Sequence, residues 1–514
     1  MKKIIELLIS RGFIIGLSIF VQVGFWVLIF TGLREYRDVL MSAMLLLSMF
    51  CVIHIIIKDI CPEHKIAWII FMVMFPLAGG LFYLLFGSHR VSRKTKKLND
   101  EIENNIKDTV SNVKTPDFST NNKKDSFARQ VNYLKEKANA PIFDHTSVTY
   151  LKLGEDMLEA MIEELEKAQK FIFVESFIIE EGKMWNAIEE VLIRKAKEGV
   201  DVRVLYDDMG CLLTLPSQFP KRLRNHQIDC RIFNKINQVI NANFNNRDHR
   251  KICVIDGNVG FNGGINLADE YINHKPKHQL KHGHWKDTAI MLKGDGVYGL
   301  TLIFLSMWNM QTGKTEDYTS YAPTIREKSD GLIQPFADTP LDGESVGENI
   351  YMSILNTAKE YVYITTPYLI ITREMITSLT SAAKSGIDVR LILPGIPDKT
   401  FVHFLSRSYY ESLIKAGVKV YEYIPGFIHA KMFVSDDDTA IVGTINLDYR
   451  SLNLHYECGT MIYGASVIED IKKDYIQTLS QCEEITLEKI KVKNKPNVVR
   501  FILLGILRTF SPLM

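Results

Sequence analysis

A five-residue pattern occurs twice in this chain and restricts its fold more than any other feature. At 249 the sequence reads HRKICVIDGNVGFNGGIN and at 429 HAKMFVSDDDTAIVGTIN. Both are His-x-Lys, four residues, Asp, six residues, Gly-x-x-Asn. The offset is 180 at His249/His429, Lys251/Lys431, Asp256/Asp436, Gly263/Gly443 and Asn266/Asn446. One such match is expected by chance roughly 10⁻⁴ to 10⁻³ times in a chain of this length, so two at a fixed offset imply a duplicated unit. The flanks repeat too, KEGVDVRVLYD (197–207) against KSGIDVRLILP (384–394). Strand signals stand at Phe171–Ile179, Val200–Tyr206, Tyr361–Ile371 and Ile387–Leu393, with helical patterns between them. They predict βα units and a mostly parallel sheet in each half.

The spacing carries chemistry. His and Lys two apart on a strand point to one face. Gly-x-x-Asn closes a second short strand where small residues admit a ligand. Two copies about a pseudo-twofold axis would give two His, two Lys and two Asn around one centre, a donor set suited to a phosphate oxyanion. No carboxylate cluster suggests Mg²⁺ and no Cys/His spacing suggests zinc, so chemistry without metal or cofactor is expected. Two imidazoles divide the work when one, neutral, attacks phosphorus and the other, protonated, serves the leaving oxygen and then the incoming alcohol. They must then hold opposite protonation states.

Charge and hydropathy locate that chemistry. Lys plus Arg number 61 and Asp plus Glu 60, a net charge of +1. That balance disfavours a nucleic-acid binder held by bulk charge. Seven scattered Cys fit reduced thiols rather than a disulfide framework. Residues 1–97 read as a membrane anchor. The stretches 12–31, 39–57 and 66–86 carry no charged residue, and each is long enough to cross a hydrocarbon core. If all three span, the inside holds seven Lys/Arg and the outside five. If only the last two span, the split is ten to two, and the first stretch is re-entrant or in-plane. Length favours the first arrangement and charge the second. Both place the bulk of the chain in the cytoplasm.

Residues 98–145 read as a polar tether. The tail 497–514 is apolar, with Arg500 and Arg508 within roughly 80° on a helical wheel, as an interfacial segment would be. His274, His278 and His282 stand at i+4 spacing among four Lys, a pattern read as a basic loop before a metal site. Trp185 and Trp308 read as core.

Beyond the motifs, AWIIFMVMFPLAGGLFYLLFG (67–87), YDDMG (206–210), FNNRDHRKICVIDG (244–257), GGINLADEY (263–271), WKD (285–287), GFIHAKMFV (426–434) and GTINLDYRSL (443–452) resemble the phospholipase D superfamily, and most of all its bacterial cardiolipin synthase branch. The resemblance implies an α/β fold: two tandem phospholipase D-type domains, 146–325 and 326–490, with pseudo-twofold symmetry, preceded by an all-α transmembrane segment. It implies condensation of two phosphatidylglycerol molecules to cardiolipin and glycerol at the cell membrane. The alternatives left open are a hydrolase or transferase with another alcohol acceptor, and a non-catalytic lipid-binding protein. It implies His249 as nucleophile and His429 as general acid and base, with Lys251, Lys431, Asn266, Asn446 and Thr444 on the phosphate. Asp287 is expected to orient His249 and Glu457 to orient His429. Asp256 and Asp436 complete the motifs, more often as structural residues. Gly264 departs from the family's Ser or Thr, which Thr444 keeps.

Overall fold

In the computed structural model the described residues are 34–58, 62–75, 93–116, 127–235, 246–274, 281–493 and 498–511, with single positions between 20 and 32 and at 79, 80 and 83. The chain divides into two compact units. One comprises Met1–Ser92, Asn234–Asn245 and Val498–Met514, and the other Arg93–Phe233 and Asn246–Asn497.

The larger unit holds two sheets. The first contains β1 (Thr146–Leu151), β2 (Phe171–Ser176), β3 (Asp201–Asp207), β4 (Asp229–Phe233), β5 (Ile252–Ile255), β6 (Val259–Gly263) and, after the short β7 (His284–Lys286), β8 (Ala289–Gly294). The second contains β9 (Leu332–Asp338), β10 (Tyr361–Thr365), β12 (Asp388–Pro394), β13 (Lys419–Tyr423), β15 (Met432–Ser435), β16 (Thr439–Gly443), β18 (Glu457–Tyr463) and β19 (Cys482–Ile485). The short β11 (Leu369–Ile370), β14 (Gly426–Ile428) and β17 (Leu447–Asp448) lie outside it. The orders are β1-β8-β6-β5-β2-β3-β4 and β9-β18-β16-β15-β10-β12-β13-β19, so the second sheet repeats the first and adds one edge strand.

Neither sheet is mostly parallel, against the sequence expectation. Only β2–β3–β4 and β10–β12–β13 run parallel, while the motif strands join antiparallel. The cause is the turn inside each motif. Asp256 and Gly257 in the first half, and Asp436 and Asp437 in the second, all have positive φ, the left-handed conformation of a tight hairpin. A hairpin fixes its strands antiparallel.

The apolar helix Val297–Thr312 is buried on nearly every face. Its Phe304 stacks on Phe173 with ring centroids 4.6 Å apart. The helix shares one core with strands of both sheets, with Val254, Ile290 and Leu292 from the first and Met432 and Val442 from the second. Trp185 and Trp308 are core residues, as expected.

The stretch 98–145 is not a free tether. It holds most of helix Arg93–Ser111 and all of helix Ala128–Lys137. Phe127, Val131, Leu134, Ala140 and Ile142 are buried in a core with residues of the second sheet, and Gln334 Nε2 donates to the carbonyls of Val131 (3.2 Å) and Ala140 (2.9 Å). Apolar residues scattered through a polar segment have no period strong enough to show this. Residues 117–126, with the Asn-rich run, lie outside the described residues.

In the smaller unit, helix Arg37–Ile57 has 21 residues, about 32 Å at 1.5 Å per residue. Among the described residues it is the single helix long and apolar enough to cross a membrane. Most of stretch 12–31 lies outside the described residues. The third stretch is not one straight span. Its helix, Pro62–Met74, has 13 residues. A Cβ on Gly79 would stand 2.7 Å from Met72 Cα, and the Tyr83 ring lies 5.4 Å from that of Trp68. A straight helix would separate residues 68 and 83 by about 22 Å, so the chain doubles back. The sequence has Pro76 just after Phe75, the last described residue at that helix's end, and proline disfavours continuation of a helix. The tail forms helix Val498–Phe510, packed against Pro62–Met74 within this unit.

Candidate active site

Each motif histidine stands three residues before a strand, His249 before β5 and His429 before β15, and is held by the other half. The His249 amide donates to the Tyr456 carbonyl (2.9 Å), and the Tyr456 amide to the Arg247 carbonyl (2.8 Å). The His429 amide donates to the Lys286 carbonyl (2.7 Å), where β14 pairs with β7. Glu457 follows Tyr456 in the chain and Asp287 follows Lys286. The acids are therefore crossed: His249 Nδ1 bonds Glu457 (2.9 Å) and His429 Nδ1 bonds Asp287 (2.6 Å). This reverses the expected assignment. Proximity along the chain favoured partners within each half, but the backbone pairing between halves sets each imidazole beside the other half's acid.

Asp287 and Glu457 are fully buried. A carboxylate only accepts, so Glu457 places a proton on His249 Nδ1 and leaves Nε2 with its lone pair. At His429 both Asp287 (2.6 Å) and Lys431 Nζ (2.7 Å) meet Nδ1, and the proton sits there when the carboxylate is the partner. The two acids are not equivalent. Glu457 also accepts from the hydroxyls of Thr444 and Ser451. Asp287 accepts instead from the Thr288 amide (2.8 Å). A Cβ on Gly264 would stand 2.2 Å from Asp287 Oδ1. In the first half, then, the acid fills the space that a side chain at 264 would need, whereas in the second half the Thr444 hydroxyl serves Glu457.

Lys251 and Lys431 are buried beside their histidines. Lys251 Nζ donates to the His249 carbonyl (2.5 Å) and Lys431 Nζ to the His429 carbonyl. Burial pushes Lys251 down to about 8 and Lys431 to about 7. Burial, then the neighbouring ammonium groups, hold both imidazoles low, His249 well below its ordinary value and His429 at about 4. Both effects disfavour the charged form of the ring. Asp287 pulls His429 back up.

The remaining expected residues separate. The Asn266 side chain is engaged by the fold, accepting from the Ile178 amide (3.0 Å) and donating to the Tyr271 hydroxyl (2.6 Å). Asn446 has a buried Oδ1 without a hydrogen-bond partner. Asp256 and Asp436 are not at the centre. Each follows its strand, about 17 Å along the chain from the lysine at about 3.3 Å per residue. Each accepts three backbone amides, from Gln169, Lys170 and Phe171 (2.7–2.9 Å) and from Lys359, Glu360 and Tyr361 (2.7–3.0 Å). They tie the hairpin to the neighbouring strand.

Sequence reasoning did not single out Ser451 or His455. The His455 ring lies 5.7 Å from that of His249, and its Nδ1 is 3.8 Å from Glu457 Oε1. His249, His455 and Glu457 bring three ligand-type atoms within 4.8 Å of one another. Of the basic loop, His282 Nδ1 meets the Pro397 carbonyl (2.9 Å) and His284 meets the Tyr423 hydroxyl (3.0 Å), while His278 lies outside the described residues.

The family described as "Cardiolipin synthase, PLD-like domain" matches residues 161–278 and 351–479, and "Phospholipase_D-nuclease N-terminal" matches 46–88. A cardiolipin synthase of Alkalihalophilus pseudofirmus is 33% identical over 96% of this chain and 98% of its own length. An uncharacterized protein of Streptococcus mutans serotype c is 44% identical over 84% of this chain and 93% of its own. The crystal structure of a Haemophilus influenzae phosphatidylserine synthase shares the fold, with a TM-score of 0.56 at 14% identity over 76% of this chain and 98% of that one. The chain is a membrane protein and belongs to the cardiolipin synthase family of the phospholipase D superfamily.

Proposed function

We propose that this protein transfers a phosphatidyl group from one phosphatidylglycerol to another, giving cardiolipin and glycerol. The crossed His–acid pairs carry this reading, because they supply two imidazoles with free Nε2 atoms beside two buried ammonium groups. His249 Nε2 attacks phosphorus, the bond to the glycerol oxygen breaks, and His429 gives that oxygen a proton. The acceptor's hydroxyl then attacks the phosphohistidine and returns a proton to His429. A phosphodiester held by Lys251 and Lys431, with Asn446 as a further donor, offsets the ammonium charges that depress His429 and lets it hold its proton. His249 is taken as the nucleophile because the first motif's histidine has that role in the family this chain resembles, and burial keeps its imidazole neutral.

Incubating the purified chain with phosphatidylglycerol in the presence of chelator tests the reading. Cardiolipin and glycerol, lost in both His249→Ala and His429→Ala, are expected. Phosphatidic acid alone would make the protein a hydrolase.

We further propose a membrane arrangement, which the close approach of Tyr83 to Trp68 supports. Stretches 12–31 and 37–57 span, and 62–83 is re-entrant from the cytoplasmic side. The inside then holds ten Lys/Arg (Lys2, Lys3, Arg11, Lys58, Lys65, Arg90, Arg93, Lys94, Lys96, Lys97) and the outside two (Arg34, Arg37). That split satisfies length and charge together. Residues 146–325 and 326–490 form the two cytoplasmic domains, and the 497–514 tail lies in the interface. An impermeant maleimide added outside cells should label Tyr36→Cys and not Lys58→Cys. Labelling of Lys58→Cys alone would overturn this topology.

A further inference from the structure

Arg450 sits in the short helix Tyr449–Asn453, shortly before His455. Its carbonyl accepts the amides of Leu454 (2.8 Å) and His455 (3.0 Å) and so fixes the approach of His455 to the site. Its guanidinium makes no ion pair among the described residues, and its Nε is buried without a hydrogen-bond partner. Arg247, 3% exposed and ion-paired with Asp207 at 3.4 Å, is the cation that repels it. Both guanidinium groups are held below their ordinary range by burial, which Asp448 offsets in part at Arg450 and Asp207 in part at Arg247. His455 completes the group: both ring nitrogens are buried, neither has a hydrogen bond within 3.5 Å, and Nδ1 stands 3.8 Å from Glu457 Oε1.

Burying a cationic group such as Arg450 without a paired carboxylate is costly unless an anion meets it. The planar fork of arginine matches a phosphate's oxygens. We propose that Arg450, Arg247 and His455 form a second anion subsite beside His249 that takes the phosphodiester of the acceptor lipid. This rests on the transferase reading above. An acceptor phosphatidylglycerol carries its own phosphodiester a few bonds from the attacking hydroxyl, and neither water nor a simple alcohol carries one. Binding that charge orients the lipid hydroxyl at the phosphohistidine and favours it over water.

The test uses the full chain in phosphatidylglycerol vesicles containing ethanol, with cardiolipin and phosphatidylethanol measured together. In Arg450→Gln the cardiolipin-to-phosphatidylethanol ratio should fall about tenfold or more, with Arg450→Lys intermediate. An unchanged ratio, or equal loss of both products, would overturn the subsite. Absence of cardiolipin in the wild-type protein would instead sink the transferase reading. Should Arg450→Gln fail to fold, His455→Asn reads the same ratio.

Discussion

Replacing Asp287 by Asn should cripple His429, although Asp287 and His249 lie in the same half of the chain. The side chain is fully buried and 2.6 Å from His429 Nδ1. A carboxylate and an imidazolium about 4 Å apart between charge centres attract by about 4 kcal/mol at an effective dielectric of about 20. That is about three decades in rate if the imidazolium forms in the transition state, within the range of about 10² to 10⁴ for general acid–base catalysis. Turnover of phosphatidylglycerol should fall accordingly. A donor with p-nitrophenol as leaving group needs no proton, so Asp287→Asn should still release a burst of p-nitrophenol and accumulate a phosphatidyl adduct on His249, visible by intact-protein mass spectrometry. Glu457→Gln should slow the burst itself. An adduct in Glu457→Gln and none in Asp287→Asn would refute the crossed assignment or the order of the two histidines.

Three further outcomes are expected. Gly264→Ala sets a Cβ 2.2 Å from Asp287 Oδ1. As the carboxylate is displaced, kcat should fall about 10- to 100-fold, which steady-state kinetics will show. Asp436→Ala removes the acceptor of three backbone amides. It should cost about 2–4 kcal/mol of stability by chemical denaturation, with kcat per folded molecule retained; a catalytic Asp436 would abolish turnover instead. Lys431 and Lys251, at about 7 and 8, carry charge below those values, so KM should rise as pH is raised through them. For stability the sign is opposite at acid pH: His429 at about 4 binds fewer protons folded than unfolded. Stability should therefore fall as pH drops from about 6.5 towards about 4, and His429→Ala should flatten that slope.

The duplicated motif was legible because its information is local. The two-residue spacing ahead of an apolar strand predicts His249 and Lys251 on one face, likewise His429 and Lys431, and both pairs stand just before β5 and β15. The apolar stretches were equally plain, since about twenty uncharged residues in a row leave no solvent face. The parallel sheet was misjudged because βα alternation was extended across two hairpins whose left-handed turns reverse the chain. Residues 127–142 have too weak a period to reveal that they pack with the second sheet.

Local sequence was thus enough for the repeat, the family and the membrane attachment. Four things needed the folded chain: which acid serves which histidine, that Asp256 and Asp436 stand away from the centre, that the third apolar stretch turns back, and that His455 comes to His249. The physical reason is range. Spacing along a strand or helix fixes which face a residue occupies. Partners 142 and 208 residues apart are instead chosen by the docking of two halves, and neither half encodes that docking locally.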